Sequence, residues 1–190
     1  WTPWWFAGGE SYYYDYYRPT SEVNVSQTFT GTTDATGKHY LHMTFDRAAQ
    51  PRPYTVNANA VVMDVNRQAW SASTSLLVHP SAYYVGIRSE SSFVEQGDQL
   101  EIEVIVTDVD GNAIAEVPVT VKAALKRWVF ENGQWVQQEQ NEQTCEVISG
   151  NEPESCTFDT GDGGEYRVWA EVRDERERLN RSELTRWVSG

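Results

Sequence analysis

The sequence of 190 residues has only two cysteines, two methionines and three histidines, and its basic residues are few. Fifteen Lys and Arg residues stand against 28 Asp and Glu residues, which gives a formal net charge of −13. Nucleic acids and anionic membranes are bound by basic surfaces, so we expect no nucleic acid partner and no anionic membrane. No apolar run approaches the ~20 residues of a membrane-spanning helix, so we expect no membrane insertion by this chain.

The chain also has neither an initial methionine nor the pattern of a secretory signal peptide. We therefore expect it to be a processed or excised piece of a longer protein. Its length suits one large domain or two domains of about 100 residues each, and either could bury a hydrophobic core.

The two cysteines, Cys145 and Cys156, lie in QTCEVISGNEPESCTF, where apolar and polar residues alternate around each of them. Because SGNEP has the composition of a turn, we predict a hairpin with one cysteine on each strand. A disulfide is the leading interpretation, and two buried free thiols are the alternative. Disulfides persist outside the cytosol, which favours a periplasmic or extracellular protein. A zinc site would need two more ligands, and no other His or Cys is close in sequence.

Almost every periodic segment alternates apolar and polar residues with period two, and no stretch has helical spacing for longer than a turn or two. Strands are predicted at 23–30 and 39–45, and a strand pair at 54–65 and 70–78. Pro80 then marks a break, because proline cannot continue a strand ladder. The chain is predicted to be all-β.

Beyond the break, the segment 81–190 is predicted to contain seven or more strands with turns about every 8–12 residues, which is typical of an antiparallel sandwich. Before it, only four or five strands are recognisable. We therefore predict two tandem immunoglobulin- or fibronectin-like antiparallel β-sandwiches. The first, at 1–80, lacks its opening strands, and the second, at 81–190, is complete. The predicted inward-facing residues of the second are Leu100, Ile102, Val104, Val106, Val117, Val119, Val121, Ala123, Tyr166, Val168, Ala170 and Val172.

Four segments carry a resemblance to a known family: GTTDATGKHYLHMTF, VVMDVNRQAWSASTSLLVHPSAYYVGIRS, VIVTDVDGNAIAEVPVTVKAA and GGEYRVWAEVRDERERLNRSELTRWVSG. They resemble consecutive macroglobulin domains of bacterial alpha-2-macroglobulins, over nearly the whole chain after about residue 20. The resemblance implies a row of sandwiches that forms the scaffold of a protease trap, in which an attacking protease cuts a bait region. Many members also carry an internal thioester in a Cys-x-x-Gln setting, which couples to that protease.

Neither cysteine of this chain fits the thioester pattern, because Cys145 is followed by Glu-Val-Ile and Cys156 by Thr-Phe-Asp. The resemblance therefore implies non-catalytic scaffold domains of a protease inhibitor in the periplasm or cell envelope. Their partners would be other macroglobulin domains of the same parent chain and, through the parent protein, proteases. We expect no cofactor.

The opening stretch WTPWWFAGGESYYYDYYRP is dominated by aromatic residues. We expect Trp4, Trp5, Tyr13 and Tyr16 to form a contact surface that packs against the sheet or against a neighbouring domain. The alternative function is that of a cell-surface adhesin or carbohydrate-binding module, whose exposed rings would stack on sugars.

No catalytic residue and no metal ligand is predicted. The DVDGN stretch at 108–112 opens like a calcium loop, but the twelfth position, which needs a bidentate Glu, is Val119, so we predict a turn. His39 and His42 lie three apart on a predicted strand and would point to opposite faces, so they cannot share a metal. His79 is predicted to make a structural hydrogen bond at the domain junction.

Overall fold

The computed structural model of the protein describes residues 4–6, 26–43, 51 and 53–190. These residues form strands and turns and contain no helix, so the all-β class is confirmed. It follows that the described part of the chain has no helix that could cross a membrane. The strands are β1 (Trp5–Phe6), β2 (Tyr54–Met63), β3 (Ala69–Val78), β4 (Tyr84–Arg88), β5 (Phe93–Val94), β6 (Gln99–Thr107), β7 (Pro118–Glu131), β8 (Gln134–Ile148), β9 (Glu154–Asp159), β10 (Gly164–Arg173) and β11 (Leu179–Val188).

Strands β4 to β11, together with the short β1, form a two-sheet sandwich. One sheet has the order β1-β4-β6-β9, and the other has the order β5-β11-β10-β7-β8. Neighbouring strands are antiparallel, except that β5 runs parallel to β11. Buried side chains from both sheets form one hydrophobic cluster. The prediction of a sandwich in the second part of the chain is therefore confirmed.

The inward faces that the alternation predicts in the sandwich are also confirmed. All twelve predicted residues are at most 9% exposed, and most of them are completely buried. Full burial of a Val, Leu, Ile or Phe side chain contributes about 1.5–3 kcal/mol, so these faces supply the main force that holds the two sheets together.

Cys145 and Cys156 form a disulfide, with their Cα atoms 6.0 Å apart. The predicted hairpin around them is wrong, because Cys145 lies in β8 of the five-stranded sheet and Cys156 in β9 of the four-stranded sheet. The disulfide is a covalent bridge between the two sheets. Beside it, the Gln143 side chain donates to the Asp159 carbonyl at 2.8 Å and accepts from the Asp159 N–H at 2.9 Å.

The reason that no hairpin forms lies at Ser149, the first residue after β8. Its hydroxyl donates to the Ile114 carbonyl at 2.7 Å and accepts from the Val117 N–H at 3.1 Å, and its own N–H donates to the Val117 carbonyl at 2.9 Å. These contacts fix the chain to the connection between β6 and β7. The SGNEP segment therefore leads from one sheet to the other.

β2 and β3 form a hairpin, as predicted, with ten residue pairs from Tyr54–Val78 to Met63–Ala69. The side of the hairpin that carries Val62 and Trp70 is almost entirely apolar, and these two residues are 54% and 71% exposed. Within the described ranges, β2 and β3 pair only with each other, and a two-stranded hairpin alone is marginally stable in water. A first sandwich at 1–80, and a boundary after residue 80, therefore stay predictions.

The described residues fall into two compact units, one that contains residues 26–43 and one that contains the remainder. Residues 26–43 form no strand, so the strands predicted at 23–30 and 39–45 are wrong where the structure describes them. Alternation defines a possible face, but a strand also needs a hydrogen-bonded neighbour. Here the His39 ring lies against Gly31 instead, so close that a Cβ atom on Gly31 would come within 2.3 Å of it.

One five-residue turn occurs four times in the part of the chain that the structure describes. In each copy an Asp side chain accepts hydrogen bonds from the backbone N–H groups two and four residues later, and the Asp N–H donates to the carbonyl four residues later. The fourth residue has a positive φ each time. DVDGN is one of these copies, so its interpretation as a turn is confirmed. The four turns are 34–38 (DATGK), 64–68 (DVNRQ), 108–112 (DVDGN) and 174–178 (DERER).

We predict that the double substitution Cys145→Ala/Cys156→Ala lowers the free energy of unfolding by about 3 kcal/mol, because the closed loop no longer restricts the unfolded chain. Urea denaturation followed by tryptophan fluorescence measures the change. A reductant should destabilise the wild type to a similar extent and leave the variant unchanged. Equal stability of the wild type and the variant would contradict a structural role for the bridge.

The recurrent turn gives a second prediction. Glu177 occupies the fourth position with φ 59°, where Gly111 stands in the equivalent turn with φ 88°. A side chain in this left-handed region costs about 1 kcal/mol. Glu177→Gly should therefore raise the free energy of unfolding by up to about 1 kcal/mol, and the reciprocal Gly111→Ala should lower it by about as much. Thermal unfolding of the two variants measures both changes, and shifts of the same sign would contradict the prediction.

Candidate functional site

The linker between β3 and β4, residues 79–83, is held by hydrogen bonds from two parts of the sandwich. A 2.6 Å hydrogen bond joins His79 Nδ1 and Tyr84 Oη, and the two rings meet edge-on with their centroids 5.8 Å apart. Burial raises the pKa of the Tyr84 hydroxyl, which is protonated at neutral pH even at its ordinary pKa. The predicted structural hydrogen bond of His79 is confirmed.

Asp174, in the turn between β10 and β11, fixes the middle of the same linker. Its side chain is 2% exposed, and its Oδ2 atom accepts the Ala82 N–H at 2.9 Å and the Arg178 Nε–H at 2.8 Å. Its Oδ1 atom accepts the backbone N–H groups of Arg176 and Arg178. Burial alone would raise the pKa of this carboxyl group, but the four hydrogen bonds hold it well below its ordinary value.

Asn180, the second residue of β11, is completely buried. Its Oδ1 atom accepts the Val85 N–H at 3.0 Å, and its Nδ2 atom donates to the Pro51 carbonyl at 3.3 Å. Ser182, two residues further along β11 and equally buried, donates its hydroxyl to the Val85 carbonyl at 2.6 Å. Asp174 and Asn180 thus bind the backbone of the incoming chain at Ala82 and Pro51, and Asn180 and Ser182 bind Val85 in β4. We call Asp174, Asn180, Ser182, His79 and Tyr84 the junction cluster.

An open groove of about 660 Å³ lies beside Asp174. Its wall contains five carboxylates and one guanidinium group, and neither a histidine nor a cysteine lines it. Among the residues that the structure describes, in the groove and outside it, no three His, Cys, Asp or Glu side chains are placed to hold a metal ion. The groove lining is Tyr83, Ile114, Ala115, Glu116, Val117, Pro118, Thr120, Glu171, Arg173, Asp174, Glu175, Glu177 and Leu179.

The outward face of the five-stranded sheet carries a network of ion pairs around Trp169. This indole is only 6% exposed although it points away from the core, because the cations of Arg167 and Lys122 lie over it, 5.1 and 5.9 Å from its ring centroid. Arg167 bridges Glu139 at 2.7 Å and Glu183 at 2.5 Å. Three further pairs lie on the same face: Lys122–Glu142, Lys126–Glu165 and Arg181–Glu171.

The β7–β8 hairpin extends beyond this sheet, since β10 pairs with β7 only as far as Lys126. Asn132 and Gly133 at its tip have positive φ values of 50° and 82°, which is the conformation of a type I′ turn.

Three aromatic side chains share one face of the part of the β7–β8 hairpin that extends beyond the sheet. Trp128, Phe130 and Trp135 are 55%, 61% and 65% exposed, and the rings of Phe130 and Trp135 meet edge-on at 5.4 Å. No exposed surface is predicted here from the sequence, although an Asn-Gly turn between two Trp-containing segments indicates a hairpin that carries aromatic residues.

The predicted aromatic surface at the start of the chain is only partly described. Trp5 lies in β1, pairs with Ile87 and packs against the sandwich core. Trp4 lies under the Arg88 guanidinium group, 4.6 Å from the ring centroid. Tyr13 and Tyr16 lie outside the described residues, so the four-residue surface stays a prediction.

A sequence match and a fold match with known proteins lead to the same family. No family model matches the chain. In sequence, the chain is 25% identical over 148 residues to an alpha-2-macroglobulin homolog of Nostoc sp., which covers 74% of this chain and 8% of that protein. In fold, it matches the native conformation of E. coli alpha-2-macroglobulin with a TM-score of 0.51 and 18% identity, over 90% of this chain and 12% of that chain. The predicted resemblance to bacterial alpha-2-macroglobulins is confirmed.

The similarity extends to a Salmonella alpha-2-macroglobulin reacted with methylamine, at 16% identity and a TM-score of 0.48, over 89% of this chain and 13% of that chain. The chain thus spans a small part of the length of these macroglobulins. Its all-β fold is similar to that of a part of E. coli alpha-2-macroglobulin.

The acid stability of this macroglobulin-like sandwich should depend on Asp174. Because its folded pKa lies below the unfolded value of about 3.9, the group contributes stability above about pH 4, and the contribution is lost as the pH falls below that value. Asp174→Asn should lower the free energy of unfolding at pH 7 by about 1–3 kcal/mol and flatten its decline in acid. Denaturation midpoints between pH 2 and about pH 7 measure the profile.

Asp110→Asn removes the same charge from an exposed position of the DVDGN turn and serves as the control. It should leave the acid profile close to that of the wild type. Parallel profiles for wild type and Asp174→Asn would show that the buried carboxylate does not set the acid stability.

Proposed function

We propose that the chain forms non-catalytic scaffold domains of a bacterial alpha-2-macroglobulin-like protease inhibitor that traps attacking proteases. The observation that carries the proposal is the sequence match to the Nostoc alpha-2-macroglobulin homolog over 148 residues, together with the fold that the chain shares with E. coli alpha-2-macroglobulin. The trapping of proteases belongs to the parent protein, of which this chain supplies a part.

The role of the chain in such a trap is mechanical. A core shared by two sheets, a disulfide between the sheets and an ion-pair network on the outer face all favour a body that moves without changing shape. The junction cluster fixes how the preceding chain enters this body. The chain thus holds the other parts of the trap at set positions and rotates as a unit when the bait region is cut.

We also propose partners and a location for the chain. Its direct partners are other macroglobulin domains of the same parent chain, and proteases meet it only through the parent protein. The disulfide supports a location in the periplasm or cell envelope, since such bonds persist outside the cytosol. Trp5 already packs against the sandwich, which supports a contact role for the aromatic surface of Trp4, Trp5, Tyr13 and Tyr16.

Inhibition assays with the parent protein test the proposed function. A trapped protease should be shielded from a large protein substrate while it still cleaves a small peptide substrate. Leu100→Asp, which places a charge in the core, should abolish the shielding. Gln99→Asp, at the exposed neighbouring position, should preserve it.

The isolated chain should neither inhibit proteases nor hydrolyse substrates. Inhibition by the isolated chain, or undiminished shielding in the Leu100→Asp parent, would contradict the scaffold role. Binding of the isolated chain to polysaccharides that is lost on Trp4→Ala substitution would favour the adhesin or carbohydrate-binding alternative.

A further inference from the structure

The β2–β3 hairpin is attached to the sandwich at both of its ends. Pro51 precedes β2 by three residues, and its carbonyl accepts the hydrogen bond from Asn180. His79 follows β3 directly, and its ring is bonded to Tyr84 at the start of β4. The chain therefore enters and leaves the hairpin at points that the sandwich holds.

Asn180 occupies the centre of this arrangement. It has no exposed surface, and the two ends of its amide group bond to different parts of the molecule. Oδ1 binds Val85 within the sandwich, whereas Nδ2 binds Pro51 beside the hairpin. Rotation of the hairpin away from the sandwich would leave the buried Nδ2–H group of Asn180 without its acceptor. An unsatisfied buried donor costs free energy, because water does not reach it to form a replacement hydrogen bond.

The linker that follows β3 also restricts such a rotation of the hairpin. Pro80 has a fixed φ angle, and the Ala82 N–H is bound by the buried carboxylate of Asp174. The Asn180–Pro51 hydrogen bond is the corresponding contact on the β2 side of the hairpin, and it opposes a separation of the hairpin from the sandwich.

We propose that Asn180 is a positioning residue that latches the β2–β3 hairpin to the sandwich, so that the two turn as one body until this contact opens. The relevance of the latch to a rearranging trap rests on the proposed function. The coupling itself is a property of this chain and can be measured without any protease.

Backbone ¹⁵N relaxation of the 190-residue chain tests the latch. Hairpin amides at 54–78 should tumble with the sandwich in the wild type and give order parameters near ~0.85, the value of rigid backbone. In Asn180→Ala the hairpin order parameters should fall below ~0.6, while those of β10 remain unchanged. Ser182→Ala is the matched control, because Ser182 is equally buried on the same strand but its hydroxyl bonds to Val85 within the sandwich.

Two results would overturn the proposal: a wild-type hairpin that already tumbles independently, or an Asn180→Ala variant whose hairpin stays rigid. A rigid hairpin seen only at high protein concentration would also overturn it, since a second copy would then be covering the apolar face. If Asn180→Ala does not fold, Asn180→Asp is measured instead, because its ionised carboxylate still accepts from Val85 but has no donor for the Pro51 carbonyl and repels it. That variant should show the same loss of coupling. Failure of the inhibition assay in the parent protein would leave these results unaffected.

Discussion

The structure depends on how the sandwich supplies hydrogen-bond partners to the backbone N–H and C=O groups of the chain that enters it. After Pro80 the chain has left the ladder of β3 and has not yet joined that of β4, so its N–H groups need other acceptors. From the β10–β11 hairpin, Asp174 accepts the N–H of Ala82 in this linker, and Asn180 accepts the N–H of Val85 at the start of β4. Because buried backbone groups are seldom left unpaired, these two side chains determine where the linker lies, and with it the direction from which the preceding hairpin arrives.

Charged side chains at the surface also make the molecule rigid. A chain with a net charge of −13 would be expected to repel itself. On the outer face of the five-stranded sheet, however, acidic groups lie opposite Lys and Arg on neighbouring strands, and two of the cations cover Trp169. Single exposed ion pairs contribute little, but a connected network around a buried ring orders a whole face. This part of the surface is suited to a body that keeps its shape.

Much of the fold could be predicted from the sequence, and the failures have a common cause. Alternation places Val119, Val121 and Ala123 on one side of a strand whatever its partner is, so the core faces were predicted correctly. It does not reveal the partner, which is why Cys145 and Cys156 were assigned to one hairpin although Ser149 directs the chain to the other sheet. The junction was predicted only at His79. Asp174 shares its turn pattern with three other aspartates, and nothing local to Asn180 distinguishes it, since its partners are 95 and 129 residues away in sequence.

Amide hydrogen exchange at Ala82 tests most directly the central claim that the junction belongs to the cooperative unit of the sandwich. This loop amide should exchange as slowly as the Val121 amide at the centre of β7, because both are released only by global unfolding. Exchange of Ala82 at the rate of an open loop, with Val121 still protected, would contradict it. The junction would then be a hinge, and the sandwich would carry no fixed orientation to the rest of the chain.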